Sequence, residues 1–286
     1  MDQNLEESNE GSMIGFIIEL SVYVIIFIIV VMIFPSFFIY PGIYYGRWKT
    51  KGPVFELDTK DGAKIEGMIF DPKDPSTCKT TILFFHGNSG NMGSSFNILN
   101  GLKENHNAFI ISIDYRGFGN CSGFPSESGL INDAESIFER ILNDERMKKT
   151  KKIVYGVSLG GAVAISLAEK NKKVDALILE NTFTCIKDVA SKMRFVDKIP
   201  EFILDLGLSA NSWNSVSRIK DLKIPILFIS GLKDNIVSPS LMKKLYETST
   251  SENKIKIDIV DGGHNNTHSV ESEVYHDNLK KLINLL

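Results

Sequence analysis

The feature that most constrains the fold of this chain is a series of short apolar runs that alternate with amphipathic segments. The runs cover residues 80–85, 108–114, 152–157, 174–179, 225–230 and 255–260. Each run is short and most are almost continuously apolar, which is typical of a strand buried on both faces. Between the runs, segments such as 127–143 repeat apolar residues at helical spacing. The alternation predicts a mostly parallel sheet with helices on both of its faces.

Two further features complete the predicted α/β domain, which covers residues 54–286. Residues 54–58 and 64–70 flank a turn at Asp61 and predict a β-hairpin before the parallel strands. Residues 185–222 interrupt the alternation of strands and helices, and we expect them to form a small helical cap. The expected architecture is therefore a central sheet, helices on both faces and one cap insertion.

A separate apolar segment precedes this domain. Residues 1–19 form a polar tail, and residues 20–40 run for 21 positions without a charge. A helix of that length spans about 30 Å, which is the thickness of a bilayer core. Aromatic residues from Phe37 to Trp48 suit a membrane–water boundary. We therefore predict one transmembrane helix over residues 20–40 and a linker over residues 41–53.

Two other interpretations of residues 20–40 are weaker. A buried core helix rarely stays uncharged over this length. A cleaved signal peptide has a basic start, an apolar core of about 7–15 residues and small residues at its cleavage site. Here the start is acidic, the run is longer and no such site follows. A single-pass anchor in the endoplasmic reticulum, another endomembrane or the plasma membrane remains the prediction.

Composition and cysteine spacing argue against several other functions. The net charge is −3, so there is no basic excess for nucleic acid. Cys78, Cys121 and Cys185 are scattered, and they form neither a disulfide framework nor a CxxC metal site. Residues 117–123 follow a strand but lack the glycine pattern and context of a dinucleotide site. We therefore expect no metal and no cofactor.

Polar residues at the ends of the predicted strands carry the candidate chemistry, because ligands of open parallel sheets lie there. The pattern Gly156-Val157-Ser158-Leu159-Gly160 follows one apolar run and precedes a helical segment rich in small residues. The pattern alone is weak, because it can arise by chance. Its strand–turn–helix context is that of a nucleophile elbow, so we predict that Ser158 is a catalytic nucleophile.

A nucleophilic serine needs a base to accept its proton and an acid to orient that base. In folds with this elbow, the chain order is serine, acid, histidine. His264, on a loop after the last apolar run, is the favoured base, and His268 is its rival. Asp234, on the loop after the preceding run, is the favoured acid, and Glu180 is the alternative.

The other three histidines are expected to have no direct role in catalysis. His86 and His106 precede the serine, and His276 lies in the middle of a predicted helix, where we expect it at the surface. His86 is predicted to be structural, whereas the backbone that follows it is functional. The N–H groups of Asn88 and Leu159 would form an oxyanion hole, the latter at a helix N-terminus.

Six motifs occur at the ends of the predicted strands: HGNSGN (86–91), DYRGFGNCSGFPSE (114–127), GVSLGG (156–161), ENTFT (180–184), SGLKDNIVSP (230–239) and GGHNNT (262–267). Together they resemble the α/β-hydrolase superfamily, and they most resemble the bud-emergence-type serine hydrolases of the α/β-hydrolase domain-containing protein 13 group. The resemblance covers about residues 50–286 and implies triad roles for Ser158, Asp234 and His264. A single N-terminal membrane helix is also typical of that group. Related depalmitoylating hydrolases carry an N-terminal cysteine cluster, whereas no cysteine precedes Cys78 here.

The residues and the resemblance together predict a membrane-anchored serine hydrolase. Its substrate would be a carboxylic ester or thioester, acyl-protein or lipid-like, cleaved through an acyl-enzyme intermediate. The alternative is a catalytically silent fold that acts as a membrane-bound scaffold or binding module. Apolar residues of the cap predict a preference for acyl chains over charged acids, so Phe202→Ala should change the chain-length profile.

Basic residues predict the orientation of the membrane helix. Residues 1–19 contain no Lys or Arg, whereas residues 47–51 contain three. The positive-inside rule then places the hydrolase domain in the cytosol, and unpaired cysteines suit a reducing compartment. Glycosylation acceptor patterns at Asn120 and Asn265, and the lumenal domains assigned to relatives in the resembled group, favour the opposite orientation.

Overall fold

The computed structural model describes residues 2–44, 53–191 and 196–286. These residues form a single sheet of eight strands. The strands are β1 (Val54–Asp58), β2 (Lys64–Phe70), β3 (Thr80–Phe85), β4 (Ala108–Ile113), β5 (Lys151–Val157), β6 (Ala176–Glu180), β7 (Ile226–Gly231) and β8 (Lys254–Ile259). Their order across the sheet is β1-β2-β4-β3-β5-β6-β7-β8. Strand β2 pairs antiparallel with β1 and β4, and every other pair is parallel.

Helices surround this sheet, and one long helix precedes it. The α-helices are α1 (Asp2–Ile39), α2 (Phe96–Asn105), α3 (Glu127–Asn143), α4 (Leu159–Lys170), α5 (Ile186–Ala190), α6 (Glu201–Leu208), α7 (Ser215–Arg218), α8 (Pro239–Thr248), α9 (Thr267–Val270) and α10 (Ser272–Asn284). Short 3₁₀ helices cover Pro41–Tyr44, Val196–Lys198, Ser209–Asn211 and Ile219–Asp221. The predicted hairpin, parallel strands and two-sided helical cover are confirmed, whereas α2 was not predicted.

The core lies on both faces of the sheet. Strand β3 is buried along its whole length, and its side chains alternate between the two faces. Leu83 and Phe85 join the cluster that includes residues of α3 and α4. Ile82 and Phe84 join the opposite cluster, which includes residues of α2 and α10. The central strands therefore hold the loops at their carboxyl ends in fixed positions.

The cap is helical, as predicted, and lies between β6 and β7. Helices α5, α6 and α7 belong to it. Two apolar residues that we expected in the cap, Met193 and Phe195, lie outside the described residues. Phe202 is 72% exposed, which argues against its choice as a determinant of acyl-chain length.

Helix α1 contains a segment, Phe16–Ile39, that is long and apolar enough to cross a membrane. Its side chains from Phe16 to Val30 are exposed. Helix α1 begins at Asp2, so nearly all of the predicted polar tail belongs to the same helix as the apolar segment. Residues 45–52 of the predicted linker, with the basic residues that predict orientation, lie outside the described residues.

The C-terminal end of α1 packs against the cap, in contrast to the exposed part before it. Tyr40 is fully buried, and its hydroxyl donates a hydrogen bond to Oδ1 of Asn211 at 2.7 Å. The same hydroxyl accepts a hydrogen bond from Nε1 of Trp213 at 3.0 Å. These bonds satisfy the buried polar groups and fix the end of the apolar helix to the domain.

Candidate active site

Ser158 lies on a strained turn between β5 and α4. Its backbone has φ 54° and ψ −119°, a conformation that costs a residue with a side chain about 1–3 kcal/mol. The turn also requires glycine on both sides. A Cβ at Gly156 would lie 2.0 Å from the carbonyl oxygen of Gly160, and a Cβ at Gly160 would lie 2.1 Å from that of Phe85. This is the geometry of a nucleophile elbow.

Neighbouring strand ends hold the backbone of the elbow. The N–H of Ser158 donates to the carbonyl oxygen of Glu180 at 2.9 Å. The hydroxyl of Thr182 donates to the carbonyl oxygen of Ser158 at 2.6 Å. Hydrogen bonds on both sides of the residue stabilise the strained conformation and fix the direction of the serine side chain.

The structure brings Ser158, His264 and Asp234 together, as the sequence predicts. Nε2 of His264 lies 3.1 Å from Oγ of Ser158, and Nδ1 lies 2.7 Å from Oδ2 of Asp234. Because a carboxylate accepts hydrogen bonds, Nδ1 carries the proton and Nε2 faces the serine hydroxyl as an acceptor. The other carboxylate oxygen accepts the N–H groups of Ile236 and Val237, each at 2.8 Å.

Asn181 holds the loop that carries His264, a role that sequence reasoning missed. Its side-chain amide donates to the carbonyl oxygens of His264 at 3.0 Å and Gly263 at 3.2 Å. Its side-chain oxygen accepts the N–H of Gly231 at 2.8 Å. Asn181 therefore joins the ends of β6 and β7 to the histidine loop. Its position directly after a strand end was the available signal.

Glu180, the alternative acid, belongs to a different network. Its buried carboxylate accepts hydrogen bonds from the hydroxyls of Tyr155, Thr267 and Tyr275. Burial, with the nearby negative charge of Glu180, raises the pKa of both tyrosines well above their usual value. Among the described contacts, none joins Glu180 to the ring of His264. The carboxylate instead anchors the segment that follows the histidine loop, through Thr267.

The prediction of a surface position for His276 was wrong. His276 is buried, and its Nδ1 lies 3.1 Å from Nε2 of His106. Burial, together with the neighbouring histidine and Lys280, lowers the pKa of His106 to about 4. The pKa of His276 is also lowered, mainly by burial. His276 lines the same cavity as Ser158, but among the described contacts neither histidine of the pair touches the serine.

His86 is buried, as expected for a structural residue. Its ring packs against Tyr115, with 4.4 Å between the ring centroids, and against Phe118. A Cβ at Gly87 would lie 3.5 Å from the Cβ of Ser158. The backbone after His86 therefore passes directly beside the serine side chain.

The backbone N–H groups of Asn88 and Leu159 are available for an oxyanion. Leu159 begins helix α4, and the N–H groups of a first helical turn have no partner within the helix. Among the described residues, neither of these two N–H groups donates a hydrogen bond. Both residues lie next to Ser158 or to Gly87, which approaches it closely, so these groups stay the candidates for an oxyanion hole.

Two cavities of different chemistry meet at Ser158. The apolar cavity measures about 170 Å³ and lies between the cap and the end of α1. Its walls include Phe38, Ile39, Leu204 and Leu208. The polar cavity measures about 780 Å³ and lies between α2, α9 and α10. Its lining includes the polar side chains of Ser94, Asn97, Asn105, His264, His268 and Ser272.

The remaining candidates make no contribution to the triad geometry. His268, the rival base, lines the polar cavity, and within the described structure it does not contact Ser158 or Asp234. Among the described residues, there is no group of three or more His, Cys, Asp or Glu that could hold a metal ion.

Known proteins are similar to this chain in sequence and in fold. Residues 80–205 match the family model described as alpha/beta hydrolase fold. The chain is 40% identical over 209 residues to protein bem46 of Schizosaccharomyces pombe, a match that covers 70% of this chain and 66% of bem46. It is 37% identical over 214 residues to the uncharacterized membrane protein YNL320W of Saccharomyces cerevisiae, covering 74% and 72%.

A lipase and an esterase extend the comparison. The lysophosphatidylserine lipase ABHD12 of Danio rerio is 30% identical over 237 residues, which cover 77% of this chain and 60% of the lipase. Among solved structures, the esterase Pf2001 of Pyrococcus furiosus aligns with a TM-score of 0.68 at 19% identity. That alignment covers 84% of this chain and 94% of the esterase, and it shows a shared fold.

Proposed function

Because this chain belongs to the α/β-hydrolase family, we propose that it is a membrane-anchored serine hydrolase that cleaves a carboxylic ester or thioester. The observation that carries the proposal is the pair of hydrogen bonds that joins Ser158 to His264 and His264 to Asp234. A serine on an elbow of this geometry gains little structural benefit from such a pair, whereas nucleophilic catalysis requires it.

The geometry supports a two-step reaction. Nε2 of His264 accepts the proton as Oγ of Ser158 attacks the acyl carbon, and Asp234 stabilises the imidazolium that forms. The leaving alcohol or thiol takes that proton, and the acyl group remains on the serine. Water then attacks the acyl-enzyme. His264 accepts a proton from the water and passes it to Oγ of Ser158 as the acid is released. The protein supplies every acid and base in this cycle.

The N–H groups of Asn88 and Leu159 stabilise the negative oxygen of each tetrahedral intermediate. Loss of one such donor typically costs about 2.7–4 kcal/mol of transition-state stabilisation. Both donors belong to the backbone, so among single substitutions only one to proline removes either of them. Backbone groups do not rotate as polar side chains do, so both donors are in position before the substrate binds.

The two cavities indicate an amphiphilic substrate. The apolar cavity accepts an acyl chain, and the polar cavity accepts a hydrophilic leaving group on the other side of the scissile bond. A lipid-like ester and an acylated protein both have this division. The fish relative is named as a lysophosphatidylserine lipase, which supports the lipid-like class.

Membrane anchoring and a cytosolic catalytic domain are parts of the same proposal. The Phe16–Ile39 segment supplies the anchor, and a relative is itself named as a membrane protein. A glycan on Asn265 would obstruct the polar cavity, which this residue lines. Protease treatment of sealed microsomes tests the orientation. A catalytic domain that resists protease until detergent is added would show the lumenal orientation instead.

Covalent labelling tests the enzymatic part against the silent-scaffold alternative. The full-length protein in detergent is treated with a fluorophosphonate probe, and the Ser158→Ala variant serves as the control. We expect labelling of the wild-type protein at Ser158 and no labelling of the variant. Folded wild-type protein that stays unlabelled would favour the scaffold. A panel of acyl esters and thioesters of increasing chain length then defines the substrate class.

A further inference from the structure

We propose that the C-terminal turn of helix α1 forms a wall of the acyl-binding cavity, so that the membrane anchor itself selects the acyl chain. This inference rests on the proposed function, because it assigns the apolar cavity to an acyl chain. Pro35, Phe38 and Ile39 line that cavity together with Ser158. The anchor is therefore part of the site that surrounds the nucleophile.

The end of α1 is held firmly enough to act as a wall. Tyr40 is hydrogen-bonded to Asn211 and Trp213, as described above. Immediately after it, the N–H of Gly42 donates to the carbonyl oxygen of Asn88 at 3.1 Å. Asn88 is the residue whose own N–H is proposed to bind the oxyanion. The segment after the helix thus contacts the catalytic loop directly.

The cap and α1 also approach each other closely around the cavity. A Cβ at Gly207 in α6 would lie 2.9 Å from the carbonyl oxygen of Val31 and 3.1 Å from Cγ of Pro35. Only glycine permits this approach without a shift of one helix. The cap supplies one side of the cavity, and α1 supplies the facing side.

The position along the helix connects the cavity to the bilayer. Exposed apolar side chains extend from Phe16 to Val30, and the first residue of α1 that lines the cavity is Pro35. Five residues of helix span about 7.5 Å. An acyl chain that follows the surface of α1 out of the bilayer therefore reaches the cavity within a short distance. We assign the cavity to the chain of an ester that resides in the same membrane.

Phe37 and Phe38 provide a matched pair of test positions. Phe38 lines the cavity, whereas the ring of Phe37 packs edge-on against Phe124, with 6.0 Å between the centroids. Both side chains are partly exposed, so substitution of either should be compatible with folding. The full-length protein, reconstituted in vesicles, carries Phe38→Ala, Phe38→Trp or Phe38→Leu, with the Phe37 equivalents as controls.

The measurement is the rate of Ser158 labelling by a butyl and by a hexadecyl fluorophosphonate. We expect the Phe38 variants to change the hexadecyl-to-butyl rate ratio by about tenfold, because they change the apolar area that a long chain covers at this wall of the cavity. Phe37 variants should keep the wild-type ratio. If folded Phe38 and Phe37 variants had the same hexadecyl-to-butyl rate ratio, the inference would be overturned, whereas the proposed hydrolase function would stand. Wild-type protein that reacts with neither probe would instead overturn the proposed function.

A second comparison tests the route of the acyl chain. The hexadecyl probe is placed either in the vesicles that contain the protein or in separate protein-free vesicles. We expect faster labelling when the probe and the protein share a membrane, and we expect the butyl probe to show no such difference. Equal hexadecyl rates in the two arrangements would show delivery through water and would contradict the route along α1.

Discussion

The two cavities that meet at Ser158 differ in size, chemistry and origin. The polar cavity is about 780 Å³ and is bordered by helices that pack on the central sheet, whereas the apolar cavity is about 170 Å³ and is bordered by the cap and the end of α1. The cap and the end of α1 are additions to the sheet and its covering helices, although the strand-end loops also contribute Leu159, Phe183 and Ile236 to this cavity. The difference teaches that, under the proposed function, added segments take part in selecting the acyl chain, whereas the central domain alone surrounds the leaving group.

The largest effect is expected from a substitution of Ser158, the residue at which the two cavities meet. Ser158→Ala should lower kcat by at least about 10⁴-fold for every ester, because the nucleophile is lost. The unfolding temperature should stay close to that of the wild type, since only a hydroxyl is removed. Kinetics on a short-chain and a long-chain ester provide the measurement. More than about a tenth of wild-type activity would contradict the assignment.

The next effect separates the two buried acids that flank the site. Asp234→Asn should lower kcat by about 10⁴-fold, because the amide no longer holds the productive tautomer of His264. Glu180→Gln is the matched control. It should lower the unfolding temperature, because the Glu180 carboxylate accepts hydrogen bonds from three buried hydroxyls. Its effect on kcat should be much smaller than that of Asp234→Asn. If Glu180→Gln were the more damaging variant for kcat, the acid would have to be assigned to the end of β6.

A pair of variants in α6 tests the apolar side alone. Leu204 lines the apolar cavity, whereas Phe202 is largely exposed. Leu204→Ala should lower kcat/KM for long-chain esters by about tenfold relative to short-chain esters, because apolar contact with the chain is lost. Phe202→Ala should leave the chain-length profile unchanged. A larger shift from Phe202→Ala would show that the cap rearranges around substrate.

A pair of variants in α2 tests the polar side alone. Asn97 lines the polar cavity, and Asn100 lies on the same helix outside it. Asn97→Leu should lower kcat/KM for a glycerol ester by about fivefold relative to an ethyl ester of the same acid, which corresponds to one lost hydrogen bond. Asn100→Leu should not alter this ratio. A change in acyl-chain preference from Asn97→Leu would break the division between the two cavities.

The smallest effect concerns acid stability on the polar side. The pKa of His106 falls from 6.5 to about 4 in the folded chain, mainly through burial. Below pH 6.5 the unfolded chain therefore binds more protons at this residue, and the folded state loses stability as the pH falls towards 4. The unfolding temperature should decrease over that range by a few degrees. His106→Asn should flatten this part of the profile, and an unchanged slope would contradict the burial effect.

The sequence was sufficient for the fold and for the positions of the proposed triad for one physical reason. Parallel strands direct their carboxyl ends to one edge of a sheet, so Ser158, Asp234 and His264 had to lie near one another once the apolar runs were identified. The catalytic roles of these residues, and of the Asn88 and Leu159 N–H groups, stay predictions. Their mutual distances are features of the structure.

Tertiary contacts explain what sequence reasoning missed. Helix α2 is short and rich in asparagine, which has a low helix propensity, so its apolar spacing at Ile98, Leu99 and Leu102 was overlooked. His276 lies in the middle of a helix, but burial against His106 depends on a pairing across 170 residues. The outward direction of Phe202 likewise depends on how α6 packs. The apolar run at residues 20–40 did not indicate that its last turn packs on the cap, because apolar side chains are favoured both in a protein core and in lipid.

The docking of Tyr40 has a consequence for any release of the catalytic domain by proteolysis. Cleavage after residue 44 would remove the acceptor of the Trp213 indole N–H, which is buried, and an unsatisfied buried donor costs about 1–3 kcal/mol. Cleavage would also remove Phe38 and Ile39 from beside Ser158. A shed domain would therefore be less stable and would have an open apolar cavity at Ser158, so under the proposed function shedding would alter its specificity as well as its location.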